Sequence, residues 1–145
     1  MPYPLKELIW FFLFLLVVAA GCSNGEQAEQ ENAPAQDSAS SIQTISPQEA
    51  AALIENRPDL LILDVRTPQE LRNGFIERSI LTPFWSLVRG TVNLPKDRPL
   101  LLVCAVGGRS YAAGQMLIRS GYREVYNLRG GIVAWTHAGL PLRTP

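Results

Sequence analysis

Leu100-Leu101-Leu102-Val103-Cys104-Ala105-Val106-Gly107-Gly108-Arg109-Ser110 is the stretch that decides the reading of this chain. Four consecutive apolar residues suit a strand buried on both faces, and Tyr111 to Ser120 suit a helix. A cysteine therefore stands where a strand has ended and a helix is about to begin. In open α/β sheets, ligands bind in the crevice outside the carboxyl ends of the strands, so a functional loop is expected here. Gly107 and Gly108 let the backbone turn tightly and aim successive N–H groups inward, forming an anion-binding nest before the helix N-terminus. A thiolate at the base of that nest would be stabilised.

Outward from this loop the same alternation of elements recurs. Ser46-Pro47-Gln48-Glu49 combines an N-cap serine, a proline at the first helical position and a glutamate three residues after the cap, which predicts a helix from Pro47 to about Asn56. Leu60 to Leu63 predict a buried strand ending at Asp64. Thr67-Pro68-Gln69-Glu70 repeats the capping box and opens a short helix that stops at Asn73-Gly74. Ile80 to Thr82 is a candidate strand and Phe84 to Val88 a candidate helical turn. Beyond the central loop come a strand at Val125 to Leu128, a turn at Arg129-Gly130-Gly131, and a helix from Ile132 to His137. Strands alternating with helices predict an α/β fold, a central parallel sheet with helices on both faces. Asp64 and Arg66 are expected to bond locally and fix the loop after their strand. Trp135, with Ile132 and Val133, is expected in the core, His137 at the surface. Phe84 and Trp85 suit either the core or an apolar rim.

The chain has 145 residues, 47% apolar and 18% charged, the composition of one globular domain. A compact part of about 100 residues buries roughly two-thirds of its unfolded surface, enough for a core without staples. Met1 to Gly21 contains an uninterrupted apolar run from Leu8 to Ala20. Crossing a bilayer takes about 20 apolar residues, whereas a signal-peptide core takes about 7–15, so 1–21 is expected to be a signal peptide. Its end, Val18-Ala19-Ala20-Gly21-Cys22, resembles the bacterial lipobox, which implies lipidation of Cys22. Ser23, rather than an aspartate, follows that cysteine, so the outer membrane is expected where the source has one. From Ser23 to Ser41 the chain is rich in Ser, Asn, Gln, Glu and Ala and cannot bury enough apolar surface to offset ordering its backbone. Residues 22–44 therefore read as a flexible, lipid-anchored tether in the cell envelope, facing the periplasm or exterior, and 45–145 as the folded domain. The tether from Ser23 to Thr44 carries four acidic residues and no Lys or Arg; from Ile45 onward twelve Lys/Arg oppose eight Asp/Glu. That mild basicity suits small anions. No basic run with interleaved aromatics exists, so no nucleic-acid partner is expected.

Three segments together resemble the rhodanese-like sulfurtransferases. Cys104-x-x-Gly107-x-Arg109-Ser110 after an apolar strand is similar to that family's active-site loop. Leu63-Asp64-Val65-Arg66 followed by Glu70 resembles its early strand-to-helix motif. Leu128-Arg129-Gly130-Gly131-Ile132-Val133-Ala134-Trp135, ending in Gly139-Leu140-Pro141, resembles its C-terminal signature. The likeness runs from about Ile45 to Leu142 in the family's order. One stretch departs: where the family usually has His-Ile-Pro-Gly-Ala, this chain has Phe75-Ile76-Glu77-Arg78-Ser79. The family also often places basic residues at the positions of Ala105, Val106 or Gly108; here Arg109 is the loop's only charge.

The resemblance implies a sulfurtransferase, expected to be a monomer without a metal or other cofactor. It would take sulfane sulfur from a small anionic donor such as thiosulfate and pass it to cyanide or a thiol through a persulfide on Cys104. Ala105, Val106, Gly107, Gly108, Arg109 and Ser110 would bind the substrate. A free thiol with pKa about 8.5 is mostly protonated at neutral pH, but helix N-termini and nearby cations lower cysteine pKa to about 3.5–7.5. The loop's backbone N–H groups, the helix dipole and Arg109 are the expected sources of that shift. Two other classes compete. A binding module on the same fold would commonly lack the cysteine. Cysteine phosphatases and arsenate reductases act on larger anions; in the phosphatases five residues separate cysteine from arginine, against four here.

Overall fold

The computed structural model describes residues 41–145. The expected signal peptide, Cys22 and most of the expected tether lie outside the described residues. In chain order the elements are β1 (Gln43–Ile45), α1 (Pro47–Asn56), β2 (Leu61–Asp64), α2 (Pro68–Leu71), β3 (Ser79–Leu81), α3 (Phe84–Val88), β4 (Leu100–Val103), α4 (Gly108–Arg119), β5 (Val125–Leu128) and α5 (Gly131–His137). The five strands form one parallel sheet in the order β1-β5-β4-β2-β3.

The strand ahead of the cysteine holds the middle of this sheet. All four of its side chains are fully buried, and they alternate between two cores. Leu101 and Val103 join Ala50 of α1, Ile62, Leu128, and Ile132 and Trp135 of α5. Leu100 and Leu102 join Leu63, Val125, and Ala113 and Leu117 of α4, with Phe84 and Leu87 of α3 packed alongside. Helices thus cover both faces, which is why β4 reads as an unbroken apolar run. Each such side chain contributes about 1.5–3 kcal/mol on leaving water. The loop after β4 therefore starts from a rigid base.

Both predicted capping boxes form. Glu49 N–H donates to Ser46 Oγ at 3.3 Å and Ser46 N–H to Glu49 Oε2 at 2.7 Å. Glu70 N–H donates to Thr67 Oγ1 at 3.2 Å and Thr67 N–H to Glu70 Oε2 at 2.9 Å. Trp135 and Ile132 are core as expected, with Trp135 Nε1–H donating to Pro141 O at 2.9 Å, but Val133, expected beside them, is 46% exposed, one position off the buried face of the helix. Phe84 packs inward while Trp85 is 43% exposed.

Among the boundaries that differ from expectation by one residue or more, two bear on the site. Gln43 and Thr44, placed in the tether by composition, pair with Tyr126 and Asn127 as an edge strand. Of the two only Thr44 has the β-branched side chain that favours strands, and the register comes from β5 beside them. Helix α4 starts at Gly108 rather than Tyr111, because Gly107 takes the N-cap position at φ +93°, a left-handed conformation that costs glycine little. Gly108, Arg109 and Ser110 are accordingly helical, not loop. At Phe75-Ile76-Glu77-Arg78-Ser79 the turn forms without the family's proline and glycine. Ser79 N–H bonds Ile76 O at 3.0 Å, and Arg78 takes φ +67°. Its guanidinium donates to Ile54 O and Pro58 O, hydrogen bonds that offset part of the conformational cost.

Candidate active site

Cys104 follows β4 directly and is 1% exposed, a free thiol at the base of the loop. Gly107 N–H donates to its Sγ at 3.1 Å, and Ser110 Oγ lies 3.3 Å away. Burial pushes the thiol up. The Ser110 hydroxyl, together with the backbone N–H groups of Ser110, Val106 and Gly107, outweighs that and holds it below the ordinary cysteine value. Ala105 is half-buried, Val106 projects at the loop tip with 68% exposure, and Gly108 is exposed. Ser110 is fully buried. Of the sequence-expected site residues, the structure thus gathers Cys104, Gly107 and Ser110 around the sulfur, with Val106 adding its N–H.

Arg109 has a different partner. Its guanidinium makes two hydrogen bonds to the Glu70 carboxylate, at 2.5 and 3.0 Å. The Arg109 bond, with help from Thr67 N–H, pulls the Glu70 carboxyl down to about 2 against the burial that would raise it. Of the three sources expected for the thiol's shift, the backbone N–H groups act on the sulfur directly, joined by the Ser110 hydroxyl, whereas Arg109 acts on it only through its charge while its guanidinium bonds Glu70.

Two supports hold the loop. Below it, Asp64 and Arg66 form the expected local pair, joined at 2.7–3.1 Å, with side-chain exposures of 0% and 4%. Arg66 also donates to Gly74 O at 2.8 Å, tying β2 to the chain beyond α2. Beside it, the start of α5 reaches across: Ile132 N–H donates to Cys104 O at 2.9 Å and Val133 N–H to Ala105 O at 3.1 Å. Gly131 makes this approach possible. It has φ +58°, and a Cβ there would run into the Cys104 carbonyl and the Ala105 backbone. A cavity of about 400 Å³ opens at this junction, lined by Arg66, Glu70, Asn73, Ala105, Val133 and His137 among others. His137, exposed in the last turn of α5, lies at its edge.

Sequence reasoning missed three contributors: Glu70 as the partner of Arg109, Gly131 as the point of contact with the loop, and Asn127, whose Oδ1 lies 2.7 Å from Ser110 Oγ. Glu70 stood in the early motif and Gly131 in the C-terminal one, so their places were marked without their roles. Asn127, a polar residue in a buried strand, was itself a signal.

A parallel α/β domain with a hydrogen-bonded thiol at the end of its central strand defines a cysteine-loop α/β protein. Residues 46–138 match the rhodanese-like domain. Over 104 residues the chain is 36% identical to a sulfurtransferase of Allochromatium vinosum, covering 72% of this chain and 97% of that protein. Over 93 residues it is 32% identical to the thiosulfate sulfurtransferase GlpE of Vibrio cholerae, covering 64% of this chain and 87% of that one. Among solved structures, a rhodanese-related protein from Thermoplasma volcanium superposes with a TM-score of 0.62 at 35% identity, covering 71% of this chain and 99% of the other. The chain belongs to the rhodanese-like domain family.

Proposed function

We propose that this protein is a sulfurtransferase whose nucleophile is Cys104. The observation that carries the reading is the thiol itself: free, buried, and held under the Gly107 N–H and Ser110 hydroxyl in a chain whose relatives are named sulfurtransferases. The Cys104 thiolate attacks the outer sulfur of a small anionic donor such as thiosulfate. A sulfur–sulfur bond forms to Cys104, the donor's own sulfur–sulfur bond breaks, and sulfite leaves with the electron pair. An acceptor thiolate or cyanide then attacks the outer sulfur, and Cys104 departs as thiolate. No oxidant or metal enters the balance. The N–H groups of Val106, Gly107 and Ser110 that favour the thiolate serve the persulfide anion in the same way. Burial of Cys104 shields the held sulfur from water. Ala105, Gly108 and Arg109 border the approach, and the cavity beside Ala105 offers room for an acceptor.

The short spacing from Cys104 to Arg109 supports sulfur over phosphate chemistry, and the intact cysteine supports an enzyme over a binding module. We place the domain at the cell envelope as a monomer, lipidated at Cys22 and carried on the tether, a reading supported by the lipobox-like sequence. Membrane partitioning of the expressed full chain, lost on Cys22→Ala, tests that part.

The catalytic test is direct. Incubation of the protein with thiosulfate adds one sulfur, about 32 mass units, to the intact chain; cyanide removes it, and Cys104→Ser never acquires it. Wild-type protein that gains no sulfur from thiosulfate or polysulfide while hydrolysing aryl phosphates would overturn the assignment.

A further inference from the structure

Behind the thiol, Ser110 leads on to two polar side chains, the buried Asn127 and the half-buried Thr44, that the sulfur chemistry above does not use. Ser110 Oγ lies 3.3 Å from Cys104 Sγ, 3.1 Å from Gly107 O and 2.7 Å from Asn127 Oδ1. Asn127 is 4% exposed, and its Nδ2 faces Thr44 Oγ1 at 3.4 Å. Thr44 and Asn127 are register partners across β1 and β5. The path Cys104–Ser110–Asn127–Thr44 thus runs from the loop to the sheet edge.

The path is constrained because Ser110 has one proton and several acceptors. With Asn127 Oδ1 taking that proton, Ser110 Oγ is left to accept from the S–H of a neutral Cys104. With the amide turned over, Nδ2 donates to Ser110, Ser110 directs its proton to an ionised sulfur, and Oδ1 meets the Thr44 hydroxyl. An amide is the one small side chain that offers a donor end and an acceptor end of equal size. The two orientations match the two charge states of the nucleophile.

We propose that Asn127, steadied by Thr44, is a positioning residue that turns Ser110 from acceptor to donor as Cys104 ionises. The inference rests on Cys104 being the reacting thiol. The charges facing Cys104 come from elsewhere: Arg109 of α4 with Glu70 of α2, and Asp64 of β2 with Arg66, all paired among themselves. β1 and β5 contain no charged residue, Tyr126 lies on the opposite sheet face, and the only titratable side chain of α5 is His137 in its last turn. Asn127 is therefore the nearest adjustable dipole on that side of Ser110.

The test reads the thiol rather than sulfur transfer, by thiolate absorbance near 240 nm against pH and by the rate of alkylation with iodoacetamide. Asn127→Leu keeps the volume and removes both ends of the amide. It is expected to raise the Cys104 pKa by about one unit, a roughly tenfold slower alkylation below that pKa. Thr44→Val, milder for the fold, is expected to give a smaller rise in the same direction. If Asn127 only competes for the Ser110 proton, its removal lowers the thiol pKa; if it is only structural, neither variant moves it. Either result overturns the proposal. Should Asn127→Leu fail to fold, Thr44→Val decides, and an unchanged pKa there counts against the relay. A raised pKa in a protein that never takes up sulfur would sustain this inference while sinking the proposed function.

Discussion

Two neighbouring strand-to-helix junctions in this domain are built alike and finished differently. β2 ends in a buried acid, Asp64, and leads to α2; β4 leads to a buried acid, Cys104, and then α4. The strands are adjacent, with Asp64 opposite Val103. After β2 every group is closed: Arg66 grips Asp64, and the Thr67–Glu70 capping box fills the N-terminus of α2. After β4 the cap is a glycine with no side-chain hydrogen bond, so the N–H groups at the loop and the start of α4 converge on sulfur instead. A buried ion pair makes a junction that holds its shape. A buried acid facing N–H groups and one hydroxyl, with no cation of its own, makes a junction whose protonation state can change. The same architecture is structural in one case and chemical in the other, and the choice of cap and counter-charge decides which.

The largest way to break this contrast is to open the closed junction. Arg66→Met strands Asp64 as an uncompensated buried charge, and losing one member of a buried pair costs about 3–5 kcal/mol. Urea unfolding should show that loss. Cys104→Ser, at the other junction, should cost under about 1.5 kcal/mol while abolishing sulfur loading. If the two variants lose equal stability, the division of roles is wrong. A middle-sized effect is expected from Thr67→Ala. It removes an N-cap and should cost about 1 kcal/mol. Because the Thr67 hydroxyl also accepts from the Glu70 N–H and so fixes that residue, the same change should loosen the hold on Arg109, seen as a lower KM for thiosulfate with kcat little changed.

The sequence makes these junctions legible to different depths. Ser46-x-x-Glu49 and Thr67-x-x-Glu70 are local patterns with one physical solution, and both form as expected. β4 is legible because burial on both faces demands an unbroken apolar run. Gln43 and Thr44 were not legible as strand, since their pairing comes wholly from β5. The start of α4 was obscured by Gly107 and Gly108, which read as loop until the left-handed cap is seen. Of the site, Cys104 and its N–H donors could be read from strand, glycine and helix in sequence. The Arg109–Glu70 pair could not, because its members are 39 positions apart and only the pairing of β2 with β4, which sets the two following loops side by side, brings them together. The stretch from Phe75 to Ser79 shows the reverse: it lacks the family's proline and glycine, yet it turns, with Arg78 held by contacts to Ile54 and Pro58.

The smallest effect tests how α2 governs the site it borders. Glu70→Gln keeps the capping box, since glutamine serves at that position too, but removes the charge that answers Arg109. The pair is about one-third exposed, so its loss should cost less than about 1 kcal/mol. The sign with pH follows from the Glu70 carboxyl titrating at about 2, below its usual value of 4.5. Its folded form favours the ionised state, so its contribution is fully present above about pH 5 and drains away as pH falls toward 2. The stability gap between wild type and Glu70→Gln should therefore close over that window, in denaturant titrations at stepped pH. Above it, the variant's unanswered guanidinium should draw a dianionic donor more strongly, lowering KM severalfold at low salt and less at high salt. A variant KM that is unchanged at low salt would mean that Arg109 serves α2 alone, and that the reactive junction binds its donor through backbone N–H groups without it.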